Sequence, residues 1–322
     1  MAIVAGIDEA GLGPVLGPLV MCASVFEVPD ELVEQSLWDT LAPAVARKAG
    51  RKSTALAIGD SKKLFNRKSP KALRHLERAV LAMLAADDKH PETLADLLTI
   101  ITAAANTQAA EYPWYRPAEV ILPRVLSATD VSLSGNAIGS AMRKAGVRMR
   151  GIRSECVFVG EFNRIIRATR NKSTAALGIT FRLVQYLWSR LKSGSMHIHV
   201  DRQGGRMRYI SALERAFEGC NFKILREDPN CSAYEMYDAN RTARITFSVG
   251  GEAAHMPIAL ASMAGKYLRE MFMERFNAFW AGHVDGLAPT AGYYTDGRRF
   301  FGEIREAMGR LGVDENIVYR CR

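Results

Sequence analysis

The sequence predicts an α/β fold with a mixed sheet flanked by helices, on three observations. Short apolar runs of β-type residues alternate with helical patterns along the chain, as strands and helices of one layered domain do. Two strand-like stretches stop at carboxylates: Ile3 to Ile7 at Asp8-Glu9, and His197 to Val200 at Asp201. The first carboxylate pair is followed at once by Ala10-Gly11-Leu12-Gly13-Pro14, whose glycines and proline turn the chain toward a second apolar run, Leu19 to Phe26.

The first two runs therefore read as adjacent strands joined by a tight connection. Residues 66–85 carry Leu73, Leu76, Val80, Leu81 and Leu84 at helical spacing between basic residues, an amphipathic helix with a solvated cationic side. The alanine-rich stretch 87–150, interrupted by Tyr112-Pro113-Trp114-Tyr115-Arg116-Pro117, reads as an inserted helical segment. Arg148 to Val159 alternates as a strand does, and 174–191 is helical with Leu177, Phe181, Val184, Leu187 and Leu191 on its apolar side. After Asp201 the chain makes an excursion over 202–250, with β-type runs at 222–225 and 244–249 around Pro229-Asn230, and a β-hairpin is expected there. A helix is predicted from Ile258 to Phe279, then a turn at Gly292-Tyr293-Tyr294-Thr295 and a short helix over 301–311. The whole of 1–322 reads as one catalytic domain with insertions at 87–150 and 202–250 and a substrate-contact segment at 286–322.

Composition narrows the function. The 322 residues are 48% hydrophobic and 24% charged, the balance of a globular protein. Lysine and arginine outnumber aspartate and glutamate by 43 to 34, a net charge of +9 that suits polyanionic partners. No apolar stretch precedes Asp8 that would serve as a signal or a membrane span, so a cytoplasmic location and no membrane partner are expected. Five scattered cysteines without Cys-x-x-Cys spacing give neither a zinc site nor a disulfide framework.

Strands that end in carboxylates make a metal site if they are neighbours in the sheet. Oxygen donors suit Mg²⁺ or Mn²⁺, which bind through a few carboxylates with water and substrate phosphate completing the shell. Phosphodiester cleavage with two such ions needs several acids in one place, and Glu270, on the late helix, is the candidate to join Asp8, Glu9 and Asp201.

These residues resemble those of the type 2 ribonuclease H family, ribonucleases HII and HIII. Gly6-Ile7-Asp8-Glu9-Ala10-Gly11-Leu12-Gly13-Pro14 is similar to the family's opening signature, and Asp60-Ser61-Lys62-Lys63-Leu64 to its Asp-Ser-Lys-Lys-Leu block. His199-Val200-Asp201, the segment Ile258 to Lys266 with Arg269-Glu270 beyond it, and Gly292-Tyr293-Tyr294-Thr295 follow in the family's order. The resemblance implies a ribonuclease H-like fold with a mixed five-stranded sheet and a monomer without a small-molecule cofactor. It also implies Mg²⁺- or Mn²⁺-dependent cleavage of RNA in RNA/DNA hybrids, or at ribonucleotides embedded in duplex DNA, leaving 5′-phosphates. Asp8, Glu9, Asp201 and Glu270 would hold the metals; Gly11, Leu12, Gly13, Ser61, Lys62, Lys63, Lys266 and Tyr293 would contact substrate.

The sequence departs from the family at Leu12, where the family has arginine, and at Glu270, where it has aspartate. Two alternatives stay open at this point: a non-catalytic nucleic-acid-binding member of the fold, and a two-metal nuclease for another nucleic-acid structure.

Overall fold

The computed structural model describes residues 1–50, 53–67, 69, 71–102, 105–116 and 120–321. Its centre is a sheet built from β1 (Ala2–Ala10), β2 (Leu19–Val28), β3 (Arg148–Val157), β4 (Gly194–Asp201), β5 (Asn221–Glu227), β6 (Cys231–Tyr237) and β7 (Arg241–Ser248). The strand order is β3-β2-β1-β4-β7-β6-β5. β1 lies antiparallel to β2 and parallel to β4, so the sheet is mixed, as expected.

Seven strands replace the five expected. The stretch 220–249 does not leave the sheet as a separate hairpin: β6 pairs antiparallel with both β5 and β7, and β7 runs parallel to β4, so all three strands extend the main sheet. Sheet growth satisfies backbone donors and acceptors that a lone hairpin would leave to water.

Helices that pack around the sheet include α1 (Ser61–Leu64), α2 (Arg74–Ala85), α3 (Leu94–Ile101), α4 (Ala128–Lys144), α5 (Val159–Thr169), α6 (Lys172–Arg190), α7 (Ile210–Ala216), α8 (Gly251–Ala254), α9 (Met256–Ala281) and α10 (Tyr294–Leu311). Alternation along the strands divides the interior in two. Val4, Val20, Cys22 and Phe26 face a core shared with α2, α3, α4 and α9, while Ala5, Ile7, Leu19, Met21 and Ala23 face a second core built with α6 and α7. The 87–150 segment packs into the first core, where Trp114 meets Phe276 edge-on at 5.5 Å and Tyr115 meets Phe272 at 5.0 Å. Pro117, at the end of the aromatic motif read from the sequence, lies outside the described residues.

α9 is seated directly on the sheet. A Cβ built on Gly6 would stand 2.1 Å from the backbone nitrogen of Ile258, so only glycine lets the helix approach β1 this closely. Ser24 Oγ donates to the Pro257 carbonyl at 2.7 Å and fixes the helix start against β2. Ser262, Lys266 and Glu270 follow one another at i, i+4 spacing along α9.

α10 begins at Tyr294, seven residues before the short helix read from the sequence, so Tyr293 stands at its N-cap. Among the described residues no helix is long and apolar enough to cross a membrane. All five cysteines are free, with Cys22 and Cys156 buried.

Candidate active site

The parallel pairing of β1 with β4 sets Ile7 opposite Val200, so the next residues, Asp8 and Asp201, end side by side. Strand alternation turns both toward α9, whereas Glu9 faces the opposite side and reaches the same pocket from the strand end, where Gln203 Nε2 donates to its Oε2 at 3.0 Å. The pocket holds about 290 Å³ and is lined by Asp8, Glu9, Gly11, Leu12, Gly13, Ser61, Lys62, Asp201, Lys266, Glu270 and Tyr293, with Glu252, Ser262, Pro14 and Arg269. Of the residues singled out in the sequence, only Lys63 stays outside. It points into a neighbouring cavity, its ammonium 3.3 Å from Asp60 and its side chain 81% exposed.

Glu252 was not anticipated. It sits on α8, directly after Gly251, whose amide donates to Asp201 Oδ1 at 2.6 Å. Ser262 Oγ lies 3.4 Å from Glu252 Oε2 and 3.1 Å from Ser61 Oγ, and it sits beside Asp8, where it partly offsets the rise of that carboxyl. One serine of α9 thus links acids from β1 and α8. The only signal in the sequence was an acid after the Gly250-Gly251 pair, with no apolar periodicity around it.

Glu270 lines the pocket too, but cations engage it. Arg67 Nη2 stands 2.5 Å from Glu270 Oε2 and Lys266 Nζ 3.8 Å from Oε1. Lys266 is also over the Phe65 ring at 4.6 Å, and burial holds its ammonium below the usual lysine range.

Electrostatics set the remaining acids apart. Burial above all, then the charges of Glu9 and Asp201, hold the Asp8 carboxyl well above the usual carboxylate range. Burial, with Asp201 adding to it, pushes Glu9 up to about 7. Burial raises Asp201 and Glu252 as well; Asp60 and Asp201 push Glu252 further, and Lys62 opposes the rise in both. All four carboxyls are thus raised above their usual range, with Lys62 and hydrogen bonds from Gln203, Gly251 and Ser262 as partial compensation.

The donor set is all carboxylate oxygen, which fits a hard divalent cation such as Mg²⁺ or Mn²⁺. Among the described residues no three acidic, histidine or cysteine side chains are already closed to coordination distance. An open arrangement suits Mg²⁺, which keeps several waters and binds one or two carboxylates together with substrate phosphates. His197, His199 and His255 do not line the pocket: His199 stacks on His255 at 3.8 Å, and burial pushes His199 down to about 3, so the pair is a neutral packing element.

The floor of the pocket is the Gly11–Gly17 turn. Gly11 has φ +91°, and a Cβ there would meet Arg269 Nε at 2.3 Å. The Gly292 carbonyl accepts from the Val15 amide at 2.7 Å and from Leu16 at 3.3 Å, which ties the segment before Tyr293 to the same turn. Tyr293 is 57% exposed at the pocket mouth.

The fold and the site define an α/β protein with a buried acidic pocket at the ends of two parallel central strands. No family model matches the sequence, and no curated protein does. Solved structures of type 2 ribonucleases H are similar to it. The RNase HII of Archaeoglobus fulgidus, determined as a complex with PCNA, is 15% identical with a TM-score of 0.43, over 99% of this chain and 94% of that one. A mutant of Bst-RNase HIII is 13% identical with a TM-score of 0.48, and the match covers 98% of this chain and 65% of that one. The ribonuclease H2 of Pyrococcus horikoshii OT3 is 15% identical with a TM-score of 0.37, over 98% and 92% of the two chains. At these scores the pocket geometry, and not the likeness, has to carry a functional assignment.

Proposed function

We propose that this chain is a divalent-metal-dependent endonuclease of the type 2 ribonuclease H kind, hydrolysing RNA paired with DNA or cutting at ribonucleotides embedded in duplex DNA. The observation that carries the reading is the convergence of Asp8, Glu9, Asp201 and Glu252, from β1, β4 and α8, in one pocket with Lys62 and Lys266 on its wall. A site for cations and phosphate needs that combination of crowded acids and adjacent lysines.

In this reading Asp8, Glu9, Asp201 and Glu252 hold the cations, and Glu252 takes the fourth place that the sequence assigned to Glu270. When bound, two divalent ions supply water activation and stabilisation of the leaving oxygen. Ser262 keeps Asp8 and Glu252 in register from α9. Glu270 restrains Lys266 and Arg67 beside the pocket, where the cations meet the phosphates of the incoming strand. Ser61 and Lys62 approach from α1, and the Gly11-Leu12-Gly13 backbone closes the floor against the sugar. Tyr293 offers a ring face at the mouth for a sugar or base.

The test is cleavage of three substrates side by side, an RNA/DNA hybrid, a DNA duplex with one ribonucleotide and a DNA junction, in Mg²⁺ and in Mn²⁺. Metal-dependent nicking of the first two that disappears in Asp8→Asn is the expected result. Binding without turnover under either metal sinks the enzymatic reading, and cleavage confined to the junction redirects it to another nucleic-acid structure.

A further inference from the structure

Arg320 lies 309 positions beyond Gly11, yet its guanidinium is buried beneath the turn that floors the pocket, with 1% of the residue exposed. Its Nε donates to the Gly17 carbonyl at 2.8 Å, and Nη1 donates to Gly11 at 2.5 Å and to Pro14 at 3.3 Å. The cation rests on the Phe162 ring at 4.6 Å and has no carboxylate partner among the described residues. Burial and the nearby Arg269 both act against its charge. A guanidinium stays protonated in proteins, so this charge is retained at a cost that three carbonyl dipoles offset only in part, Nη2 being buried with no partner among the described residues.

The backbone around Arg320 is fixed with equal care. Its amide donates to the Val15 carbonyl at 2.9 Å, and Tyr319 forms an isolated bridge with Leu16. Asn163, 2% exposed on α5, receives the Cys321 amide at 2.8 Å and donates to the carbonyls of Asn316 and Tyr319. A buried cation held this firmly against a turn of the pocket floor does more than fill space.

The peptide plane shows what it does. Gly11–Leu12 is not among the cis bonds, and in a trans peptide C=O and N–H point in opposite directions. Since the Gly11 carbonyl is drawn to Arg320, the Leu12 N–H points away from that buried guanidinium, and Leu12 lines the pocket. Leu12 itself packs its side chain against the second core, so its backbone, not its side chain, is the polar group it brings to the site.

We propose that Arg320 is a positioning residue: from beneath the turn it fixes the direction of the Leu12 N–H as a donor to an oxygen of the substrate strand. The inference rests on the nuclease reading for the identity of that strand.

The experiment compares the natural chain with Arg320→Met and Arg320→Lys in two assays. Hydrogen exchange of the 11–17 segment needs no activity, and affinity for an RNA/DNA hybrid is measured in Ca²⁺, with kcat then read at saturating substrate. In Arg320→Met, exchange of the segment accelerates by about tenfold while α9 keeps its protection, and hybrid affinity falls by about tenfold with kcat changed by less than about threefold. Arg320→Lys lies between, because one ammonium cannot span three carbonyls; it carries the test alone if the methionine variant does not fold. Natural exchange and natural affinity in the folded variants overturn the proposal. A natural chain that neither binds nor cuts hybrid removes the nuclease reading instead, and the exchange measurement still decides whether Arg320 holds the turn.

Discussion

The amide of Gly251 donates to Asp201 Oδ1 at 2.6 Å, and this one bond brings Glu252 beside the acid that ends β4. Position 251 has little room for more: a Cβ there would meet Ile258 Cδ1 at 2.6 Å and Asp201 Oδ1 at 3.4 Å. If Glu252 is the fourth acid, Glu252→Gln weakens Mn²⁺ binding by roughly tenfold or more and lowers kcat with it, while Glu270→Gln leaves metal affinity within about threefold and acts on KM. Titration calorimetry on the two variants separates the roles, and the opposite ranking would return the fourth place to Glu270.

Asp8→Asn should raise the stability of the metal-free protein at neutral pH. The folded-state pKa of Asp8 lies above its unfolded value, so folding favours the protonated carboxyl, and stability is lost as pH rises through the folded-state pKa. Asparagine removes the ionisable group at nearly constant shape. In EDTA at pH 7.5 the variant melts a few degrees higher, roughly what about 1 kcal/mol gives in a chain of this size, and added Mn²⁺ no longer raises its melting temperature. A variant that melts lower in EDTA contradicts the crowding of charge at this site.

Glu77 is fully buried on α2, and its carboxylate receives the amides of Arg124, Val125 and Leu126 at 2.5, 2.8 and 3.0 Å and the Tyr267 hydroxyl at 2.9 Å. Glu77→Ala strands four donors in a dry interior and costs roughly 3 kcal/mol or more. Urea unfolding measures the loss, and Tyr267→Phe, which strands none of the three amides, costs only about 1 kcal/mol.

Gly6→Ala tests the seating of α9. The added carbon would meet backbone, 2.1 Å from Ile258 N and 2.2 Å from Pro257 C, so no rotamer relieves it. A loss of about 3 kcal/mol or more is expected, read by chemical denaturation, together with a loss of metal binding as Ser262 moves off Asp8.

The parts of this architecture that were legible in the sequence are those whose signal is local. β1 announces itself by an unbroken apolar run with Asp8-Glu9 at its end, β4 by a short alternating run that also stops at a carboxylate, Asp201, and α9 by its long apolar composition after Pro257. β6 was not legible, because Glu235 interrupts it and its partners on both sides had to be known before it read as a strand. Glu252 was hidden for a related reason: α8 is four residues long, and what gives that acid its place is a bond to Asp201, fifty positions earlier. Lys63 parts from its neighbours in the same block. Its neighbour Ser61 turns inward against Ser262 while Lys63 pairs with Asp60, a distinction that adjacency in sequence does not reveal.

The position of β1 between β2 and β4 bears on how the molecule reaches its native state. β2 reaches it within a hairpin, but Ile3 to Ile7 also pair with Met196 to Val200, across more than half the length of the polypeptide. Closing so wide a loop is entropically expensive and comes late, so early in folding the hairpin presents a naked apolar border to whatever strand it meets first. Refolding yield should therefore fall steeply with protein concentration, and the two aspartates should become neighbours only at the final zippering of the sheet.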